Sequence, residues 1–405
     1  MVERGEGGGG GGFPELTREV RLVLECARTR LTFAHVERIE SLLRPDMNWA
    51  GIVHFAEESA VAPLVYENLR KIAARVPVLV PAVWMERLQK ICRANTVRAL
   101  YQSAELVKIL DALEGRGLQV IAYKGPVLGV QAYGDPALRV FYDLDVIVAQ
   151  RDLAAADEVL RGLEFEARYA WPRVENPKMA LTPGEYTYRG KNSQILLEVH
   201  TERTMRHFPV QLDLAALAVR LTTVHVAGRA VRTFRPEDAL PILCVHGAKD
   251  FWEKAGNIAD IAELVQLQPF DWNYAREAAR ALRCTTMMLL GLSLAQRLIG
   301  APLPNAIAEE MYADKRVVVL TGEIARRMVV DRKPKWSAVG RAMYRSRLVD
   351  AETSAAAYLW RLAVSPAEDS WAPGQKSPLW ATMRSLLYQT RRGKERKKEE
   401  EITKG

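Results

Sequence analysis

Val140-Phe-Tyr-Asp-Leu-Asp-Val-Ile-Val148 is the stretch on which the reading of this chain turns. Its apolar run from Leu144 to Val148 predicts a buried strand. Along a strand, residues i and i+2 point to one face, so Asp143 and Asp145 stand side by side while Leu144 enters a core. Two adjacent carboxylates repel each other unless a cation lies between them, and a hard divalent ion such as Mg²⁺ takes this kind of oxygen donor set. A strand-edge acidic pair in water, or a turn at Asp143, would give the same letters. One Asp-x-Asp decides nothing by itself.

The flanking segments narrow the choice. Upstream, Ile121-Ala-Tyr-Lys-Gly-Pro126 places Lys124 and Gly125 where a short strand, Leu118 to Tyr123, gives way to a helix from Pro126 to Tyr133. A glycine there lets the backbone approach a ligand, and amides at a helix N-terminus favour phosphate. Lys124 adds a charge of the kind that holds phosphates. Downstream, Ile195-Leu-Leu-Glu-Val-His200 reads as another strand, with Glu198 bracketed by apolar residues and His200 on the same face. Glu198 either faces solvent or joins a site.

Further out, the period of the apolar residues changes twice. The first residues hold six consecutive glycines, Gly7 to Gly12, too costly in entropy to order, and read as a mobile tail over 1–13. From 14 to 115 the spacing is helical. Leu22, Cys26 and Leu31 fall on one early helix face, and Val61, Leu64, Val65 and Leu69 on a second, in AEESAVAPLVYENLRKIAARV. A third helix from Val83 to Leu113 carries Leu88, Ile91, Leu100, Leu106 and Leu110. The α/β core spans 116–235. It adds a helix at Arg151–Leu160, strands at Leu163–Tyr169 and Glu185–Arg189, and a hairpin turning at Gly228-Arg229. Helices resume over 236–362, with a break expected at Gly256-Asn257, and 363–405 is an extended segment with a charged tail. The expected class is α+β, a small mixed sheet flanked by N- and C-terminal helical regions.

Composition excludes several classes. With 405 residues, 49% hydrophobic and 26% charged, the chain has ample material for a core and is neither disordered nor collagen-like. Cys26, Cys92, Cys244 and Cys284 are widely spaced without a CxxC pair, which suits reduced, buried thiols and a cytoplasmic location. The N-terminus lacks the basic and apolar regions of a secretory signal. The most apolar stretch, Cys284 to Ala295, falls short of the ~20 residues of a membrane span and reads as a buried helix. Gly291-Leu-Ser-Leu-Ala295 within it is therefore no nucleophile elbow. The net charge of +8 is concentrated late in the chain. Arg326, Arg327, Arg332, Lys333, Lys335, Arg341, Arg345 and Arg347 face only Asp331 over 326–347, a place for a polyanionic partner or simply a solvated basic face.

The order Lys-Gly, Asp-x-Asp, then an isolated acid in a later strand resembles the nucleotidyltransferase superfamily of DNA polymerase beta and the aminoglycoside nucleotidyltransferases. More closely, KGPVLGVQAYGDPALRVFYDLDVIV with ADEVLRGLEFE, LLEVHTER, GRAVRTFRPEDALPILCVHGAKDFWEKAGNIADIAELV and PAEDSW is similar to the bacterial uncharacterised nucleotidyltransferase family. The similarity runs from about Ala56 to about Arg392. Tyr142 stands where that family commonly has Gly, and Glu198-Val-His200-Thr where it has an Asp-Leu-His-Trp-like motif.

The resemblance implies a polymerase beta-like core that transfers a nucleoside monophosphate from an NTP to an acceptor and releases pyrophosphate. Asp143 and Asp145 would hold Mg²⁺ or Mn²⁺. Glu198 would be a third ligand or accept the acceptor's proton. Lys124, Gly125 and Arg139 would meet phosphate, and His246, Lys249 and Asp260 would line the nucleotide or acceptor pocket. A surface arginine at 139, and a capping and salt-bridge cluster at His246, Lys249 and Asp260, are the plainer readings of those residues. The acceptor stays open among small molecules, proteins or peptides and RNA, including a toxin-like action on tRNA. A non-catalytic nucleotide- or partner-binding module that keeps the fold is the alternative.

Overall fold

The computed structural model describes residues 13–76, 79–168, 184–202, 208, 210–331 and 338–350. Helices α1 (Arg18–Cys26), α2 (Phe33–Leu42), α3 (Trp49–Glu58), α4 (Ala62–Ala73) and α5 (Ala82–Gly115) come first. The α/β part follows as β1 (Val120–Ala122), α6 (Gly125–Tyr133), β2 (Asp143–Val148), α7 (Leu153–Gly162), β3 (Phe165–Ala167), β4 (Glu185–Gly190), β5 (Leu196–His200), α8 (Leu214–Ala218), β6 (Thr222–Val226) and β7 (Arg229–Thr233). Then come α9 (Pro236–Lys249), α10 (Ala255–Leu264), α11 (Trp272–Ala281), α12 (Thr285–Leu294), α13 (Asn305–Ala313), α14 (Lys315–Arg326) and α15 (Ala338–Leu348). The chain is a mixed α/β protein with a small mixed sheet, as expected. The PAEDSW segment, the tail, and Arg332, Lys333 and Lys335 lie outside the described residues, as does the expected helix beyond 350.

Strand order in the main sheet is β1-β2-β5-β4-β3, and β6 pairs β7 apart from it. Among the described strands only the central β2–β5 pair is parallel, with Asp145 opposite Glu198 and Ile147 opposite His200. The other pairings are antiparallel. The alternation of the pleat splits the sheet between two cores. Val120, Ala122, Leu144, Val146, Val148, Leu197 and Val199 pack with Leu106, Ile109 and Leu110 of α5. Ile121, Tyr123 and Ile147 belong instead to a larger core shared with α1, α9, α10, α12 and α14. The second face, rather than the first, carries the acids.

Some expected elements shift for tertiary reasons. α1 stops at Cys26, leaving Leu31 outside it, because the buried Asn68 side chain donates to the Cys26 and Arg28 carbonyls at 2.9 and 2.7 Å and fixes the turn. The AEES stretch is two helices broken at Ser59-Ala60, where Ala60 takes a φ of 61°. Leu100, expected in the core, is 60% exposed on α5. The hairpin turns one residue earlier than expected, at Ala227-Gly228, whose φ values of 49° and 81° fit the left-handed pair of a tight two-residue turn. No helix among the described residues is long and apolar enough to cross a membrane. Cys284 and the helix after it are buried as expected.

Candidate active site

Parity on β2 and β5 builds the site. Because the strands run parallel in register, Asp143, Asp145, Glu198 and His200 all face away from the α5 side of the sheet. Antiparallel β4 brings Glu185 opposite His200, on the same face. The apolar residues between them, Leu144, Leu197 and Val199, are fully buried on the other face and hold the acids in place through the packing of the strands. Asp145 is only 3% exposed and His200 0%, so these charges cannot be left to water.

Partners for Asp145 come from two directions. Lys124, at the end of β1, places its Nζ 2.6 Å from Asp145 Oδ1, and His200 Nε2 lies 3.0 Å from the same oxygen. Glu198 Oε2 is 3.5 Å from His200 Nε2. Burial opposes the charge on Asp145, but Lys124 and then His200 outweigh it and lower its pKa. Burial likewise opposes the Lys124 and His200 charges, and the carboxylates raise both pKa values. Glu198 is lowered by its bond to His200, again against burial. Asp143 differs: burial, and then the charge of Asp145, push its carboxyl up to about 6.

Above this face lies a cleft of about 570 Å³, walled opposite by α9, α10 and the turn between them. Lys124, Arg139, Asp143, Asp145, His246, Lys249 and Asp260 all line it, so the structure brings together most of the residues singled out in the sequence. Glu198 does not line it, and touches the cluster through His200. Gly125 opens α6 at a φ of 52°, where an added Cβ would sit 3.3 Å from the Asp143 carbonyl. That is a position for glycine on both counts.

Several of these side chains are committed to one another. Arg139 is no surface residue: its Nε and Nη2 each donate to Asp260 at 2.8 Å in a buried two-pronged pair, and Tyr133 donates to Asp260 Oδ1 at 2.7 Å. His246 and the Tyr123 hydroxyl share a hydrogen bond of 2.8 Å. Burial, then the charges of Lys124, Lys249 and His200, push the His246 pKa well below its ordinary range. Lys249 reaches across to Glu185 of β4 at 2.5 Å. The break between α9 and α10 falls at 250–254, with Phe251 and Trp252 at positive φ, and Gly256-Asn257, expected to break the helix, lie inside α10. At the rim the Tyr142 ring, 54% exposed, lies 4.3 Å from the Arg98 guanidinium and 5.5 Å from Lys254 Nζ.

The donor set suits a metal ion. Asp145, Glu198 and His200 can each offer one ligand atom, and those atoms lie within 4.8 Å of one another. Asp143 is not in this set, although it shares the face. His200 was legible only as a neighbour of Glu198, and Tyr123, Tyr133 and Glu185 were not singled out. The signal available for His200 was its i+2 spacing from Glu198 on a strand, which any solvent-facing pair would share.

Comparison with known proteins adds the following. No curated protein matches the chain. The solution structure of the antibiotic-resistance factor ANT(2″)-Ia aligns at 15% identity and a TM-score of 0.27, over 52% of this chain and 97% of that one. The crystal structure of ANT(2″)-Ia with adenylyl-2″-tobramycin gives 15% and 0.27, over 47% and 95%. An antigenic nucleotidyltransferase-like protein from Paracoccidioides brasiliensis gives 18% and 0.29, over 46% and 88%. Residues 45–300 match a family model described as uncharacterised nucleotidyltransferase, from the helices before the sheet to the end of the helical stretch after α12. The chain belongs to that nucleotidyltransferase family.

Proposed function

We propose that the protein transfers a nucleoside monophosphate from an NTP to an acceptor nucleophile. The observation that carries this is the one sheet face on which Asp143 and Asp145 meet Lys124 at a cleft wide enough for a nucleotide, with His200 and Glu198 joined to Asp145 behind them. In this reading the acceptor oxygen bonds to the α-phosphorus, the bond from that phosphorus to the bridging oxygen breaks, and pyrophosphate leaves. A divalent ion held by the carboxylates, Mg²⁺ or Mn²⁺, would supply charge neutralisation of the triphosphate in this displacement. Lys124, at the mouth of α6, turns from Asp145 to the phosphates as that charge arrives. The Gly125 backbone permits close approach at the same end. Glu198 is a ligand or takes the acceptor's proton. Lys249, held by Glu185, and His246, held by Tyr123, line the pocket for the nucleotide or acceptor. Arg139 and Asp260 act there as a braced pair and not as free phosphate ligands.

The acceptor belongs to one of three classes: a small molecule, a protein or an RNA end such as that of tRNA. The basic stretch 326–347 is a docking place for the last of these; its Arg345 lines the cleft and its Arg347 is paired with Glu323. The test uses each α-labelled NTP with Mg²⁺ or Mn²⁺ and fractionated cell extract. Label enters one fraction with equimolar pyrophosphate, and Asp145→Asn lowers the rate about a thousandfold, a loss of several kcal/mol of transition-state stabilisation. The Lys124–Asp145 pair favours one other reading, a binding module whose acids are neutralised from within. NTP binding unaffected by Asp145→Asn, with no label transferred from any NTP, would establish that reading and discard the first.

A further inference from the structure

The cluster behind the cleft wall differs from an all-carboxylate site in one respect. His200 is fully buried, and its Nε2 is the atom turned toward Asp145 and Glu198, at 3.0 and 3.5 Å. Its ring is fenced by Tyr123 and His246, both edge-on at centroid distances of 5.6 and 5.8 Å. All three donors sit on adjacent strands in register, Asp145 opposite Glu198 and His200 two residues further on, so the set is rigid before any ligand arrives. Two oxygens and one imidazole nitrogen converge within 4.8 Å.

Ligand chemistry then decides which ion is preferred. Mg²⁺ demands oxygen donors and keeps much of its water. Imidazole suits first-row transition ions, whose affinity for mixed nitrogen and oxygen sites exceeds that of Mg²⁺. A buried imidazole aimed at the shared space of two carboxylates is a nitrogen ligand placed at the one corner where Mg²⁺ gains least. We propose that His200 is the third ligand of a mixed centre with Asp145 and Glu198, and that it makes this protein select a transition-metal ion over Mg²⁺. Lys124, now on the same Asp145 oxygen, gives up that contact when the ion enters. The inference rests on the nucleotidyl-transfer reading only in placing a cation at Asp145.

The test needs no turnover. The full chain, free of nucleotide, is titrated with Mn²⁺ and followed by electron paramagnetic resonance, with Mg²⁺ as competitor. Mn²⁺ binds at least about tenfold more tightly than Mg²⁺, and the bound ion couples to a ¹⁴N nucleus that becomes ¹⁵N in protein labelled at histidine. His200→Asp, an all-oxygen set, removes the coupling and brings the Mn²⁺ to Mg²⁺ preference down by about tenfold, with the helical circular dichroism retained. His246→Gln keeps the coupling, which assigns the nitrogen to His200. Should His200→Asp not fold, the labelled wild type and His246→Gln together decide the question. Bound Mn²⁺ without nitrogen coupling, or with coupling lost in His246→Gln, overturns the assignment of His200 and leaves nucleotidyl transfer standing. No binding of either ion, with or without NTP, overturns both.

Discussion

Arg139 and Asp260 lie 121 residues apart in sequence and form a buried two-pronged ion pair in the cleft wall, where neither charge has much water to fall back on. Burial opposes the Arg139 charge and Asp260 more than restores it, raising the pKa. Removing one partner of such a pair strands the other, so Arg139→Ala should lose about 3–5 kcal/mol of stability in urea unfolding. Arg139→Lys keeps the charge but not the two-pronged geometry, and should fall between. A variant with unchanged stability and a weakened NTP affinity would instead make Arg139 a phosphate ligand. His246 gives a prediction in pH. Its folded pKa is depressed well below the ordinary 6.5 by burial, by Lys124 at the end of β1, by Lys249 on its own helix and by His200 on β5. A base with a depressed folded pKa is stabilising above its unfolded pKa, and that share is lost as pH falls below about 6.5, at up to about 1.4 kcal/mol per pH unit. His200 has the opposite sign, since its pKa is raised, so the measurement is the difference between wild type and His246→Gln across pH 5 to 7. The wild type should lose more stability on acidification than the variant; parallel curves would place the His246 proton elsewhere.

At the scale of elements, the turn from α9 to α10 sets the far wall of the cleft, and Trp252 sets the turn. Its ring is fully buried, and Phe251 and Trp252 both take left-handed backbone angles, which cost free energy and persist only because packing fixes them. Two glycines make room for the ring. A Cβ on Gly247 of α9 would lie 2.5 Å from Trp252, and one on Gly291 of α12 would lie 2.6 Å from Cys244 Sγ and 2.9 Å from Trp252. Gly247→Ala or Gly291→Ala should each cost about 1–3 kcal/mol, read as a lowered urea midpoint at constant slope. Gly247→Ala should also weaken NTP binding, because Asp250, Phe251 and Lys254 line the pocket from the same turn. This turn explains why some of the chain was legible and some was not. Strands β1 and β2 are almost wholly buried and β5 buries Leu197 and Val199 on either side of a half-buried Glu198, so their apolar letters mark them, and Asp143, Asp145 and Glu198 stand out against that background. The helix break was misplaced at Gly256-Asn257 because the true one is fixed by a tryptophan seated between α9 and the distant α12, a contact no local pattern carries. His200 was passed over for the same reason: its meaning lies across the sheet, in the register with Asp145.

For the molecule as a whole, the sheet is a partition between two cores, and the site lies where its second face meets helices from both ends of the chain. Those helices are not independent arms. The Arg28 guanidinium donates to the Ile299 carbonyl, Thr29 N–H donates to Glu263 at 2.9 Å, and Gly256 N–H donates to the Ser59 carbonyl at 2.8 Å. Residues as distant as Leu22, Leu128, Ile258 and Leu320 share one buried cluster. Pro236 to Leu264 supplies the groups that cover Tyr123 and pair Glu185 and Arg139, so the α/β segment does not contain its own lid. Residues 116–235 expressed alone would leave Ile121, Tyr123 and Ile147 exposed beside Glu185 and Arg139, whose charges would lose Lys249 and Asp260. That fragment should show no cooperative unfolding transition and should bind a hydrophobic dye, whereas the full chain should lose tryptophan fluorescence and helical circular dichroism in coincident transitions. A folded fragment with a sharp midpoint would mean that the helices are accessories to a self-sufficient core; failure of the fragment makes them the other half of the active site.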